Sequence, residues 1–233
     1  MHSMKNRGPE RIMTTGEIAG GFCYLPFYLV LWSLILPAVF SLLGLEVTTI
    51  SINLAYFYIN FLFIVVIFHR TLAVSLKDIV HSFWPFVQAL ILGFALYYAG
   101  VILLNLLLYA LVPDLSNPND ETVSSMAETA YYATIVCSVL LGPLVEETLV
   151  RGLIFGNVHR WNRIAAYIIS ILFFCFMHLW QYAWTTPLTT LLLSALQYLP
   201  AGIALGWVYE KSGNIWCPIV LHMILNGITM SVL

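Results

Sequence analysis

Seven apolar stretches, each about as long as a bilayer is thick, succeed one another along this 233-residue chain. They lie at about Ile18 to Leu45, Val47 to Phe68, Phe83 to Val112, Ala130 to Ile154, Ile164 to Trp180, Pro187 to Tyr209 and Trp216 to Leu233. Lipid offers no water to an unpaired backbone group, so stretches of this length are expected to span as helices. The expected fold is therefore all-α, a polytopic membrane helical bundle with about seven transmembrane helices. With 61% hydrophobic and 9% charged residues, the chain lies far from the roughly 25% charged residues of a soluble domain. The net charge of -2 and the scattered basic residues exclude a nucleic-acid surface.

The first two stretches have almost nothing between them and read as a helical hairpin. Lys5, Arg7 and Arg11 precede the first, as in a secretory signal, but it runs well past twenty residues with no small-x-small cleavage site. It is read as a retained span. The expected organisation is a single integral membrane domain: a cytoplasmic segment over 1–17, helices without candidate chemistry over 18–129, and the chemistry over 130–233. No linker or internal repeat divides it. Cys23, Cys137, Cys175 and Cys217 stand singly, without metal or redox spacing, and read as free thiols.

Orientation follows from the nine lysines and arginines. If seven spans alternate, Lys5, Arg7, Arg11, Arg70, Lys77, Arg151, Arg160, Arg163 and Lys211 all fall on one side. Glu46, Asp114, Asp120, Glu121 and Glu128 fall on the other, which predicts a multi-pass protein of the cell membrane with a cytoplasmic N-terminus.

Inside the expected spans the Asp, Glu, Lys, Arg and His side chains reduce to Glu146, Glu147, Arg151, His178 and His222. Each charge at mid-bilayer costs about 2.5–3.5 kcal/mol even on lenient scales, so these need partners or a role. Gly142-Pro143 is expected to interrupt the fourth span and start a new helical segment, with Glu146 and Glu147 in its first turn near the positive dipole end. Glu147 and Arg151, four apart, share a face and suit an ion pair, whereas Glu146 points about 100° away. Glu147 is then structural and Glu146 is left for chemistry. Phe174 and His178 share one face of their helix, and His222 and Asn226 share one face of theirs. A carboxylate and an imidazole from separate helices can hold a water, and an imidazole with a carboxamide can donate to an oxyanion, which describes acyl transfer to water.

Glu-Glu-x-x-x-Arg at 146–151, Phe-x-x-x-His at 174–178 and His-x-x-x-Asn at 222–226, in that order on successive apolar helices, resemble the CPBP family of membrane proteases. That family includes type II CAAX prenyl endopeptidases and bacteriocin-processing or immunity (Abi-like) proteins. The resemblance implies an intramembrane endopeptidase acting on a membrane-associated peptide or protein in the lipid bilayer. In it Glu146 and His178 activate water, His222 and Asn226 stabilise the oxyanion, and Glu147, Arg151 and Phe174 give structural support. No cofactor is favoured, because neither histidine has an evident second carboxylate behind it. Zinc held by Glu146, His178 and His222 is the alternative. A non-catalytic binding or immunity protein of the same family, and a transporter using the same residues as a proton relay, are the rival classes.

Gly202-x-x-x-Gly206 is read as a helix-packing motif. Trp180, Trp184, Trp207 and Trp216 are read as interfacial belts. One expectation conflicts with the site. On ideal helices Glu146 and His178 come out on the order of 15 Å apart in depth.

Overall fold

The computed structural model describes residues 12–113 and 115–232. Lys5, Arg7, Arg11, Asp114 and Leu233, on which part of the expected topology rests, lie outside the described residues. Among those described, all regular structure is helical. The spans are α1 (Thr15–Leu42), α2 (Thr49–Ile67), α4 (Phe83–Leu111), α5 (Pro118–His159), α6 (Arg163–Tyr182) and α7 (Leu188–Ser212). Between α2 and α4 lies α3 (His69–His81), and α8 (Trp216–Ser231) closes the chain. Six of these helices are long and apolar enough to cross a membrane, and α8 is apolar but shorter. The protein is a polytopic helical bundle.

Local chemistry sets most helix ends. Thr14 and Glu17 form a capping box at α1, and Thr48 with Ser51 forms another at α2, each satisfying otherwise orphaned amides. Gly213 ends α7 at φ 65°, a left-handed conformation that costs glycine little. Helix α5 starts twelve residues before the expected Ala130. Asn117 caps it, Pro118 opens it, and Asp120 and Glu121 occupy its first turn. The polar run over 119–128 hides this part from hydropathy but not from capping rules.

The expected break at Gly142-Pro143 does not occur. Gly142 keeps helical angles, and α5 instead carries π-helical turns at Val136–Leu141 and Thr148–Phe155. The first lies just before the proline, where a wider turn relieves the clash of its ring with the carbonyl one turn back. The sharp departure lies earlier, at Ala130, with φ −146° and ψ 63°. Glu146 and Glu147 therefore sit mid-helix, and no helix N-terminus supplies them with free amides.

Helix α5 is the most buried span. Leu149, Val150, Leu153 and Phe155 are all fully enclosed, with α1, α2, α6, α7 and α8 packed around the helix. The small-residue motif serves close approach, as expected. A side chain at Gly202 would strike Ile171, and one at Gly206 would meet Tyr167 and Phe155. Of the expected tryptophan belt, Trp184 is exposed, whereas Trp216 is half-buried and its indole N–H donates to the Leu72 carbonyl at 2.9 Å.

Polar contacts draw the helix ends together at each end of the bundle. At one end, Glu17 accepts from the Thr71 amide at 2.9 Å. There Asn214 donates to the Ser75 carbonyl at 2.7 Å, and Arg163 forks onto Glu210 at 2.8 and 3.1 Å. Arg70, Lys77, Arg160, Arg163 and Lys211 all belong to this end. At the other, Asn117 bonds Gln197 at 3.0 Å and Tyr182 bonds Thr122 at 2.8 Å. The four cysteines are free; Cys23 is exposed and the others are buried.

Candidate active site

The apparent depth conflict disappears because α5 runs on to His159 instead of ending near Ile154. Glu146 then lies thirteen residues above the turn that joins α5 to α6, and His178 lies fifteen residues above it. At 1.5 Å per residue these depths agree to about 3 Å. Glu146 Oε2 sits 3.8 Å from His178 Nε2 and 4.0 Å from His222 Nε2. The three predicted groups thus come from α5, α6 and α8 and meet at one point, each with a small remnant of exposure.

What holds each imidazole in place differs. His178 Nδ1 lies 2.9 Å from the Phe174 carbonyl, one turn back on its own helix. A carbonyl only accepts, so Nδ1 donates to it and Nε2 is the nitrogen turned toward Glu146. His222 Nδ1 lies 2.8 Å from Glu147 Oε1, and the same oxygen accepts from Arg151 NH1 at 2.9 Å. Glu147 and Arg151 are both fully buried. The expectation that Glu147 serves Arg151 alone is therefore corrected. Its carboxylate bridges the arginine and the histidine, because the Val136–Glu147 part of α5 packs directly against α8.

Phe174 joins the pieces. Its buried ring lies 4.6 Å from His178 and 5.9 Å from His222, centroid to centroid. The Arg151 guanidinium sits 4.6 Å over the same ring, a cation–π contact that offsets part of the cost of burying the charge. Asn226, one turn beyond His222 on α8, donates at 2.8 Å to the Ser138 carbonyl of α5. Its amide has a second N–H to offer elsewhere.

Residues without any sequence signal complete the walls. Tyr198, where α7 bends, lies 4.7 Å from His178 between ring centroids, the two rings tilted by 37°. Helix α2 contributes Phe57, and a Cβ at Gly142 would stand 3.3 Å from both the Phe57 ring and Glu146 Oε1. The glycine lets the carboxylate fold back over its own helix. Nearby, Tyr56 donates to the Tyr28 carbonyl at 2.7 Å, within the π-helical turn of α1. The first two spans therefore help to enclose the site although they contribute no Asp, Glu, Lys, Arg or His to it.

As a donor set, one carboxylate oxygen and two imidazole Nε2 atoms suit zinc, and Glu147 behind His222 is the kind of second carboxylate that orients a ligating histidine. The reason given above against zinc, that neither histidine has such a partner, does not hold for His222. The spacing fits less well. Ligand atoms around a tetrahedral zinc with bonds of about 2.1 Å stand roughly 3.4 Å apart, against 3.8 and 4.0 Å here. Among the described residues no three such side chains converge closely enough to form a ready-made metal site.

Residues 128–228 match the family described as Type II CAAX prenyl endopeptidase Rce1-like. Over 93 residues the chain is 31% identical to a Bacillus subtilis (strain 168) protein named "Putative membrane peptidase YdiL". That stretch covers 40% of this chain and 34% of the relative, so the match spans about a third of the relative's length. No solved structure matches the chain. The resemblance carried by the three motifs is thus shown, over a segment that contains Glu146, His178, His222 and Asn226.

Proposed function

Proceeding from the type II CAAX prenyl endopeptidase-like segment at 128–228, we propose that the chain is an intramembrane endopeptidase. Its substrate class is a membrane-associated peptide or protein. The observation that carries the reading is the meeting of Glu146 with two imidazoles whose other nitrogens are already engaged. The Glu146 carboxylate and a neutral His178 both accept, so they need a donor between them, and water supplies two protons.

In the proposed mechanism Glu146 and His178 polarise that water and take its proton as it attacks the scissile carbonyl. The carbonyl oxygen becomes an oxyanion. His222, in the form that already carries protons on both ring nitrogens, and the second amide N–H of Asn226 donate to it, in a setting where low dielectric makes such bonds strong. Glu147 orients His222 through Nδ1 and balances the charge when Nε2 carries a proton, as the carboxylate of a hydrolase triad does. The proton held at Glu146 or His178 then passes to the leaving amine.

A second reading, in which Glu146, His178 and His222 hold zinc, is favoured by the Glu147–His222 bond. The metal would supply Lewis acidity and a more acidic water. The proposed setting is the cell membrane, with the lysine- and arginine-bearing end of the bundle in the cytoplasm.

The test is Glu146→Gln, which keeps the shape and removes the charge. Membrane peptides from cells carrying the intact chain should contain cleavage products that are missing with the variant, while the purified variant melts like the intact protein. Identical product sets would refute proteolysis at this site and favour a binding protein.

A further inference from the structure

Helix α3 is the one described helix of more than ten residues that is neither apolar along its length nor enclosed. Only Thr71, Leu72 and Ser75 turn into the protein, with Ile79 partly covered beside them. At 100° per residue these four lie on one quarter of the helix. On the opposite side stand Arg70, Lys77 and His81, all exposed. Leu76, Val80 and Ala73 follow on the adjoining flank, the first two 53% and 78% exposed. Arg70 and Lys77 are seven residues, about two turns, apart and point the same way. No acidic side chain among the described residues pairs with either.

An apolar strip beside a cationic strip is the pattern of a helix lying in the plane of a membrane surface. Its position fits, between two spans at the end of the bundle that also carries Arg160, Arg163 and Lys211. Among the described residues the acids at that end do little to neutralise it, since Glu17 and Glu210 are bonded within the fold and Asp78 alone is exposed. We propose that α3 is a docking surface for anionic phospholipid, with Leu76 and Val80 against the acyl region and Arg70 and Lys77 on the headgroup phosphates. The Leu72 and Ser75 carbonyls on its inner face accept from Trp216 and Asn214, at the start of the helix that carries His222 and Asn226. Lipid seated on α3 thus rests against the foot of that helix. The proposal is independent of the hydrolytic reading.

The experiment uses the purified full chain in detergent with equal mole fractions of phosphatidylglycerol and phosphatidylcholine, and mass spectrometry of the retained lipid. The intact chain should retain phosphatidylglycerol preferentially. At about 1 kcal/mol per basic residue near such a headgroup, R70Q/K77Q should lose about 10- to 30-fold of the preference, with its melting midpoint in phosphatidylcholine unchanged. Should R70Q/K77Q not fold, 0.5 M NaCl applied to the intact chain must abolish most of the preference. Millimolar inorganic phosphate should not displace the lipid. Equal retention of the two lipids, a preference that survives in R70Q/K77Q or in salt, or displacement by phosphate alone would overturn the proposal.

Discussion

Replacing Glu147 by glutamine separates two roles that one oxygen plays. Glu147 Oε1 accepts from Arg151 at 2.9 Å and lies 2.8 Å from His222 Nδ1, and both members of the ion pair are fully buried. Removing one charge from a buried pair leaves the other uncompensated, at a cost of about 3–5 kcal/mol. That is a large share of the roughly 5–15 kcal/mol that holds a domain together. The histidine contribution is kinetic. Where a carboxylate orients a catalytic imidazole, the isosteric amide favours the wrong tautomer and lowers turnover by about 10⁴-fold. A loss on the order of 10²- to 10⁴-fold is expected for Glu147→Gln. Since instability alone lowers activity, the informative protein is the double variant Glu147→Gln/Arg151→Met, which removes both charges together. Thermal melting in detergent should show the double variant recovering most of the lost stability. Turnover of a quenched fluorescent membrane peptide, at temperatures where the double variant is folded, should remain as low as in the single variant. Recovery of turnover along with stability would refute the orienting role and return Glu147 to a purely structural one.

Asn226→Ala should lower kcat by about 100- to 1,000-fold with little change in KM, the loss typical of removing one oxyanion donor; steady-state kinetics on the same peptide checks this. Exhaustive chelation should leave activity intact under the water-activation reading. Loss of activity together with about one zinc ion per chain, restored on re-addition, would establish the metal alternative. Cysteine accessibility labelling should report sites near Lys77 and Lys211 from the cytoplasm and a site near Asp120 from outside. Lys77 and Asp120 labelled from the same side would break the alternation of spans.

Much of the architecture was legible in the sequence because in lipid the hydropathy of twenty residues and the backbone's need for internal hydrogen bonds leave few options. The starts of α2, α4 and α8 lie within two residues of where the apolar stretches place them. The meeting of Glu146 with His178 and His222 was legible as well, since an ionisable residue among apolar neighbours stands out by its cost. Helical spacing correctly paired Glu147 with Arg151 and Phe174 with His178.

Other features depended on tertiary packing. The late end of α5 at His159, which brings Glu146 level with His178, and its polar capped start at Pro118 are not registered by hydropathy. The survival of the helix through Pro143 rests on the π-turn just before it, which no residue pattern announces. Tyr198, Phe57 and Gly142 acquire meaning only when α7, α2 and α5 are brought side by side. The same is true of the Glu147–His222 bond, which joins residues 75 positions apart. One-dimensional spacing reports which side chains share a face of their own helix; which face meets which is decided by how whole helices pack.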